Sequence, residues 1–200
     1  MRRILVALIL LAALGSGART LADEGKRERS KQEKKVRELN ELSRRLNKVA
    51  SGPEFSPESQ FLHGRIAALL NRAREAPAGS YVLGRLLAAS DDLLDGSEEL
   101  IKAGATRKNE GNGAQEKAAR DLERSYFRIK EGEYFARQSK ENDAGDYVGT
   151  SKRLYQQARA AYDANHYWRS RRLAEAAREV IDALENLAQA AVRIPEPPKL

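Results

Sequence analysis

The pattern in this chain with the most direct chemistry is a set of carboxylates spaced three and four residues apart. Asp91, Asp92 and Asp95 form D-D-x-x-D inside the stretch ASDDLLDGSEEL, and Glu98 and Glu99 follow one turn later. On a helix this spacing gathers the acids on one face. Such a face offers oxygen ligands to a hard divalent cation, which usually bridges to a substrate phosphate. Two basic groupings stand beside it. Lys117, Arg120, Arg124 and Arg128 recur at helical steps as a cationic ridge, and HYWRSRR gathers Tyr167, Trp168, Arg169, Arg171 and Arg172. Aromatic rings among arginines can stack on bases or lie at a lipid headgroup surface. The two histidines, His63 and His166, stand alone in sequence, whereas a transition-metal site wants several nitrogen or sulfur ligands. There is no cysteine, no strand-to-helix nucleophile elbow, and no glycine-rich loop placed to hold a phosphate. The expectation is a protein without catalytic residues, metal or cofactor.

The elements that must position these groups read as helices throughout. Val36, Leu39, Leu42, Leu46 and Val49 recur in a charged stretch from about 26 to 50. Ser56 and Pro57 then suit the cap and first position of a second helix, with Phe55 placed to staple onto it. That helix carries Phe61, Leu62, Ile66, Leu69, Leu70 and Ala73. Ser80 can cap a third, over 81–103, with Gly104 as its C-terminal glycine. Its buried stripe is expected to be Leu83, Leu86, Leu87, Leu93, Leu94, Leu100 and Ile101, with the acids on the opposite, wet arc. GATRKNEGNGAQ reads as a linker. A long helix follows over 114–142, with Ala119, Leu122, Tyr126 and Ile129 as its stripe, and two more lie at about 146–162 and 165–192. The turns NDAGDYVGTSKRL and YDANHYWRSRRLA align at an offset of 20, pairing Asp143 with Asp163 and Tyr147 with Tyr167. The expected fold is all-α: an antiparallel bundle of about six helices built from hairpins. It divides into a three-helix segment over 23–103, a linker over 104–113, a second three-helix segment over 114–192, and a Pro-rich tail over 193–200.

Over about eight residues, DDLLDGSE resembles the first aspartate-rich motif of the polyprenyl diphosphate synthases. The resemblance implies magnesium and diphosphate binding at Asp91, Asp92 and Asp95. The rest of that family's pattern is missing. Glu99, Leu100, Ile101 and Lys102 stand where an arginine pair would follow, and no second D-D-x-x-D exists. An acidic docking face made of Asp91, Asp92, Asp95, Glu98 and Glu99 accounts for the motif better. Its natural counterpart is the N-terminal helix, where residues 26–48 hold ten basic side chains against four acids.

Two arginines precede an apolar run from Ile4 to Leu14, and small residues follow. This is the layout of a secretory signal peptide over 1–22, with cleavage near Ala18 or Ala22. The run is too short to span a bilayer, which takes about 20 apolar residues. Removing 1–22 takes away three arginines and no acid, lowering the formal charge from +7 to about +4. These features point to an exported, periplasmic or extracellular, non-catalytic interaction or scaffold protein of a bacterial envelope. It would bind a protein partner or itself through its amphipathic helices and basic face. Anionic lipid or an envelope polymer is a further candidate ligand, while nucleic acid is not expected after export. A holdase-type chaperone is the alternative.

Overall fold

The computed structural model describes residues 2–51, 56–105, 113–139 and 141–191, with side chains from Glu24 onward. It is all-helical, with six packed helices and no strand among the described residues: α1 (Arg2–Ala50), α2 (Pro57–Glu75), α3 (Tyr81–Gly104), α4 (Ala114–Gln138), α5 (Ala144–Asp163) and α6 (Tyr167–Ala191). Phe55, most of the Gly/Asn-rich linker and the Pro-rich tail lie outside the described residues.

Local chemistry sets the helix starts. Ser56 Oγ accepts the Ser59 N–H and Ser59 Oγ accepts the Ser56 N–H, a reciprocal capping box with Pro57 at the first position. Ser80 Oγ accepts the Leu83 N–H at 3.1 Å and starts α3. Gly113, at φ 80°, precedes α4 in a left-handed conformation that a side chain would strain. The α3 terminus differs from expectation. Gly104 is its last helical residue, and Ala105 leaves in an extended conformation at φ −74° and ψ 128°. No left-handed glycine stop is needed there, because the Ala105 N–H bonds back to Lys102 O. α4 likewise ends at Gln138, four residues short of the expected 142, with the Ser139 N–H returning to Phe135 O at 2.8 Å.

Cross-helix contacts fix the directions. Lys31 lies over Gly79 just before α3 and Arg45 reaches Asp91 and Asp95, so α1 runs parallel to α3. Asn186 meets Asp92 and Arg172 meets Glu99, so α6 runs antiparallel to α3. Lys152 of α5 meets Glu133 of α4, and Arg65 and Arg72 of α2 meet Asp143 and Glu141 before α5. The odd-numbered helices therefore point one way and the even-numbered ones the other.

α6 is the central element, packed on α3, α4 and α5. Alanines make this close approach feasible: Ala174, Ala176, Ala177 and Ala183 are fully buried with Val180, Ile181 and Leu184. Partner helices answer with small residues. A Cβ on Gly132 of α4 would lie 2.5 Å from Ile181 Cδ1, and one on Gly96 of α3 would lie 3.3 Å from Glu179 Cβ. Ser151 of α5 donates to Ala177 O at 2.6 Å. One apolar cluster runs from Leu39 through Leu62, Leu93 and Leu154 to Leu187, joining both segments.

Three stripe assignments change. On α4, Ala119 and Tyr126 are exposed, and the buried line is Ala118, Leu122, Ser125, Ile129 and Gly132. Close packing on α6 selects small residues for that face and turns the large ones outward. Val36 is 47% and Ile101 38% exposed, because α1 and the end of α3 are covered on only part of their circumference. Every side chain of α1 from Glu24 to Lys34 is exposed, and Lys35 is the first buried one among the described side chains.

Candidate interaction surface

The acidic residues of α3 do not share one surface. The Arg45 guanidinium gathers the outer ones: Nη2 donates to Asp95 Oδ1 at 2.5 Å and to Glu98 Oε1 at 3.0 Å, and Nη1 pairs with Asp91. Asp92 and Glu99 turn the other way, into the α3–α6 seam. Asp92 Oδ2 accepts from the Asn186 amide at 2.7 Å, and Asn186 Oδ1 accepts from Arg85 at 3.0 Å. Burial, with help from Asp182, Asp91 and Asp95, pushes the Asp92 carboxyl up to about 7 despite the Asn186 bond. Glu179 across the seam is pushed to about 8 by burial and by Asp182, Asp92, Glu175 and Asp95. Glu99 is buried and accepts from Lys102 at 2.6 Å and Arg172 at 2.8 Å. Asp91 and Asp95 thus stay exposed, as expected of the wet arc, and pair with α1, whereas Asp92 and Glu99 leave it, because α3 packs between α1 and α6. The three aspartates address different partners rather than one shared point. Among the described residues no group of three His, Cys, Asp or Glu side chains is placed to hold a metal.

The basic residues divide similarly. Arg172 spans Glu99 and the Trp168 ring, 4.0 Å from its centroid, and the Trp168 indole N–H donates to Lys102 O at 3.3 Å. This corner ties the end of α3 to the start of α6. Tyr167 lies edge-on to Tyr162 at 5.4 Å and donates to Asn165 Oδ1 at 2.6 Å. Its repeat partner Tyr147 is buried against Phe61, also at 5.4 Å, so the two copies of the turn are used differently. Arg171 donates to buried Asp121 at 2.9 Å. Arg128 is drawn inward by Asp182 and Glu185 of α6 and by Glu131, and covers the Phe135 ring at 5.4 Å. Lys117, Arg120, Arg124 and Arg169 remain exposed. His63 Nδ1 is buried and burial lowers the imidazole pKa, while His166 sits exposed in the α5–α6 turn, so the two histidines do not form a site together.

The most distinctive surface is built by Phe127 and Tyr134, which the α4 periodicity does not single out, together with Tyr126, expected in the core. Phe127 is 59%, Tyr134 57% and Tyr126 46% exposed, all on α4. Phe127 and Tyr134 are seven residues apart, in line with exposed Arg120 and Arg124. Tyr126 meets Phe127 edge-on at 5.7 Å and Tyr155 at 6.2 Å, with Lys130 Nζ 5.7 Å from its centroid. The readable signal was the repeated Tyr-Phe pair, at 126–127 and 134–135. Adjacent helical residues point about 100° apart, so two such pairs cannot all enter one narrow core face. Comparison with protein-family models, curated proteins and solved structures finds no match to this chain. No helix among the described residues is long and apolar enough to cross a membrane.

Proposed function

We propose that this chain is an exported, non-catalytic helical interaction protein of the bacterial cell envelope, docking a protein partner or a second copy of itself on the outer face of α4. The observation that carries the reading is the exposure of Tyr126, Phe127 and Tyr134 on one helix beside Arg120, Arg124 and Lys130. Leaving three large rings in water forgoes burial that would favour folding, and contiguous exposed apolar patches mark contact surfaces. Tyr, Phe and Arg are also the side chains enriched in interface centres. The non-catalytic part rests on how the remaining charge is used: Asp91, Asp95, Glu99, Arg128 and Arg172 all hold one helix to another. Export rests on the leader-like N-terminal pattern.

The test is site-specific photo-crosslinking in intact envelopes from positions 127 and 134, with exposed Gln156 of α5 as control. One dominant adduct from the two α4 positions, absent from 156, is expected. A broad spread of exported proteins would replace the reading with a holdase chaperone, and no adduct would end it. F127A/Y134A is expected to weaken partner binding by about 2 kcal/mol or more while changing stability by no more than about 0.5 kcal/mol.

A further inference from the structure

A second feature lies on the opposite side of the fold. Between α1 and the first half of α3 runs an open groove of about 850 Å³, within the size range of small-molecule sites. Its apolar lining comes from both helices: Leu42 of α1 and Leu83 of α3 are buried, while Leu87 and Ala88 of α3 are half-buried. Gly84 lines the same wall and has open space where a Cβ would stand. At one end the groove meets Lys31, Lys34 and Arg37 of α1, all exposed. Gly79, at φ 74°, closes that end. The Lys31 stem lies over it, with Cδ 3.0 Å from where a Cβ would be. The N-terminus of α3 opens at the same place, adding the positive end of a helix dipole.

The groove's own acids are already engaged: Glu38 lies 3.7 Å from Lys34, Glu41 accepts from Arg44 at 2.8 Å, and Asp91 pairs with Arg45. Of the cations, Lys35 is committed to Arg74 O and Ala76 O at 2.6 Å each, and Lys31 bonds Glu28 at 2.7 Å. Five cations against three acids line the groove, so it keeps a positive excess, and Leu42, Leu83, Leu87 and Ala88 give it an apolar stretch beyond Lys31, Lys34 and Arg37. That combination suits an anionic head on an alkyl chain.

We infer that the α1–α3 groove binds one long-chain fatty acid, its alkyl chain along Leu42, Leu83, Leu87 and Ala88 and its carboxylate at Lys31, Lys34 and Arg37. The site is independent of the α4 surface, and the experiment separates them. The purified protein is titrated with a fluorescent conjugated-polyene fatty acid, and bound probe is then competed with palmitate, hexadecanol, hexadecyl phosphate and acetate. The expected result is saturable one-to-one binding that palmitate displaces. Hexadecanol and acetate should be many-fold weaker, the first lacking the charge and the second the chain. K34E/R37E changes only exposed side chains and should weaken binding several-fold. A88E, checked for helicity by circular dichroism, should abolish it, whereas F127A/Y134A should leave it unchanged. Absence of binding, equal competition by hexadecanol, preference for the alkyl phosphate over palmitate, or an affinity unmoved by both groove variants would overturn the assignment.

Discussion

Asp92 and Glu179 lie at the α3–α6 seam under the influence of four further carboxylates, Asp91, Asp95, Glu175 and Asp182, and their protons are part of the packing. Both carboxyls sit well above the ordinary range, at about 7 and about 8, chiefly through burial. In the unfolded chain each would titrate near 4. The folded state therefore holds more protons than the unfolded state between those limits, and stability must fall as pH rises through the interval. The favourable contribution is complete below about pH 4 and lost once pH has passed the folded values near 7 and 8. After solvent screening this amounts to about 2 kcal/mol for the pair. Urea denaturation at pH 5.5 and 8.5 should show the wild type losing stability at the higher pH, and D92N/E179Q largely flattening the difference. A wild type equally stable at both values would refute the account. Burial acts on His63 in the opposite direction: it favours the neutral ring, so acidification opposes folding at that site.

At the scale of the element, helix contact depends on residues that are nearly absent. Gly132 faces Ile181, which is fully buried and β-branched, and an added Cβ would come within 2.5 Å of it. G132A gains about 1 kcal/mol of helix propensity but overpacks the α4–α6 contact at a cost of about 1–3 kcal/mol. The expected outcome is a net loss of about 1 kcal/mol in the urea midpoint, larger for G132V. Improved stability in G132A would mean that the two helices sit farther apart. The same contact explains what the sequence could and could not disclose. The α2 stripe was legible because Leu62, Ile66, Leu69, Leu70 and Ala73 are large enough to dominate the period, and Ser56 and Ser80 announced their helices through cap chemistry. The α4 stripe misled because periodicity ranks residues by hydrophobicity, while close packing ranks them by size. Ala118, Ser125 and Gly132 therefore went inside and Tyr126 outside. The division of the α3 acids between Arg45 and α6 was hidden for a different reason. Local spacing says which residues share a face, not how many helices cover it.

At the scale of the molecule, α6 lies in the middle of the fold although it is last in the chain, and the apolar cluster crosses between the first three helices and the last three without a gap. Neither segment can complete its core alone, since Leu93 and Leu94 of α3 belong to the same cluster as Val180 and Leu184 of α6. Unfolding is accordingly expected as one cooperative transition, with calorimetric and van't Hoff enthalpies in agreement. Two resolved transitions would show that the segments are separable units. The strict alternation of helix direction has another consequence. Lys31 lies beside Gly79 at the start of α3, and Asn186 reaches Arg85 one turn and more along that helix, so α1 near Lys31 and the end of α6 occupy the same pole. The opposite pole gathers the ends of α1, α3 and α5 and the starts of α2, α4 and α6. The order of helices in space is therefore indifferent to where the chain is cut. A circular permutant that joins the end of α6 to α1 near Lys31 by a short polar linker and opens between α3 and α4 is expected to keep every helix beside its present neighbours.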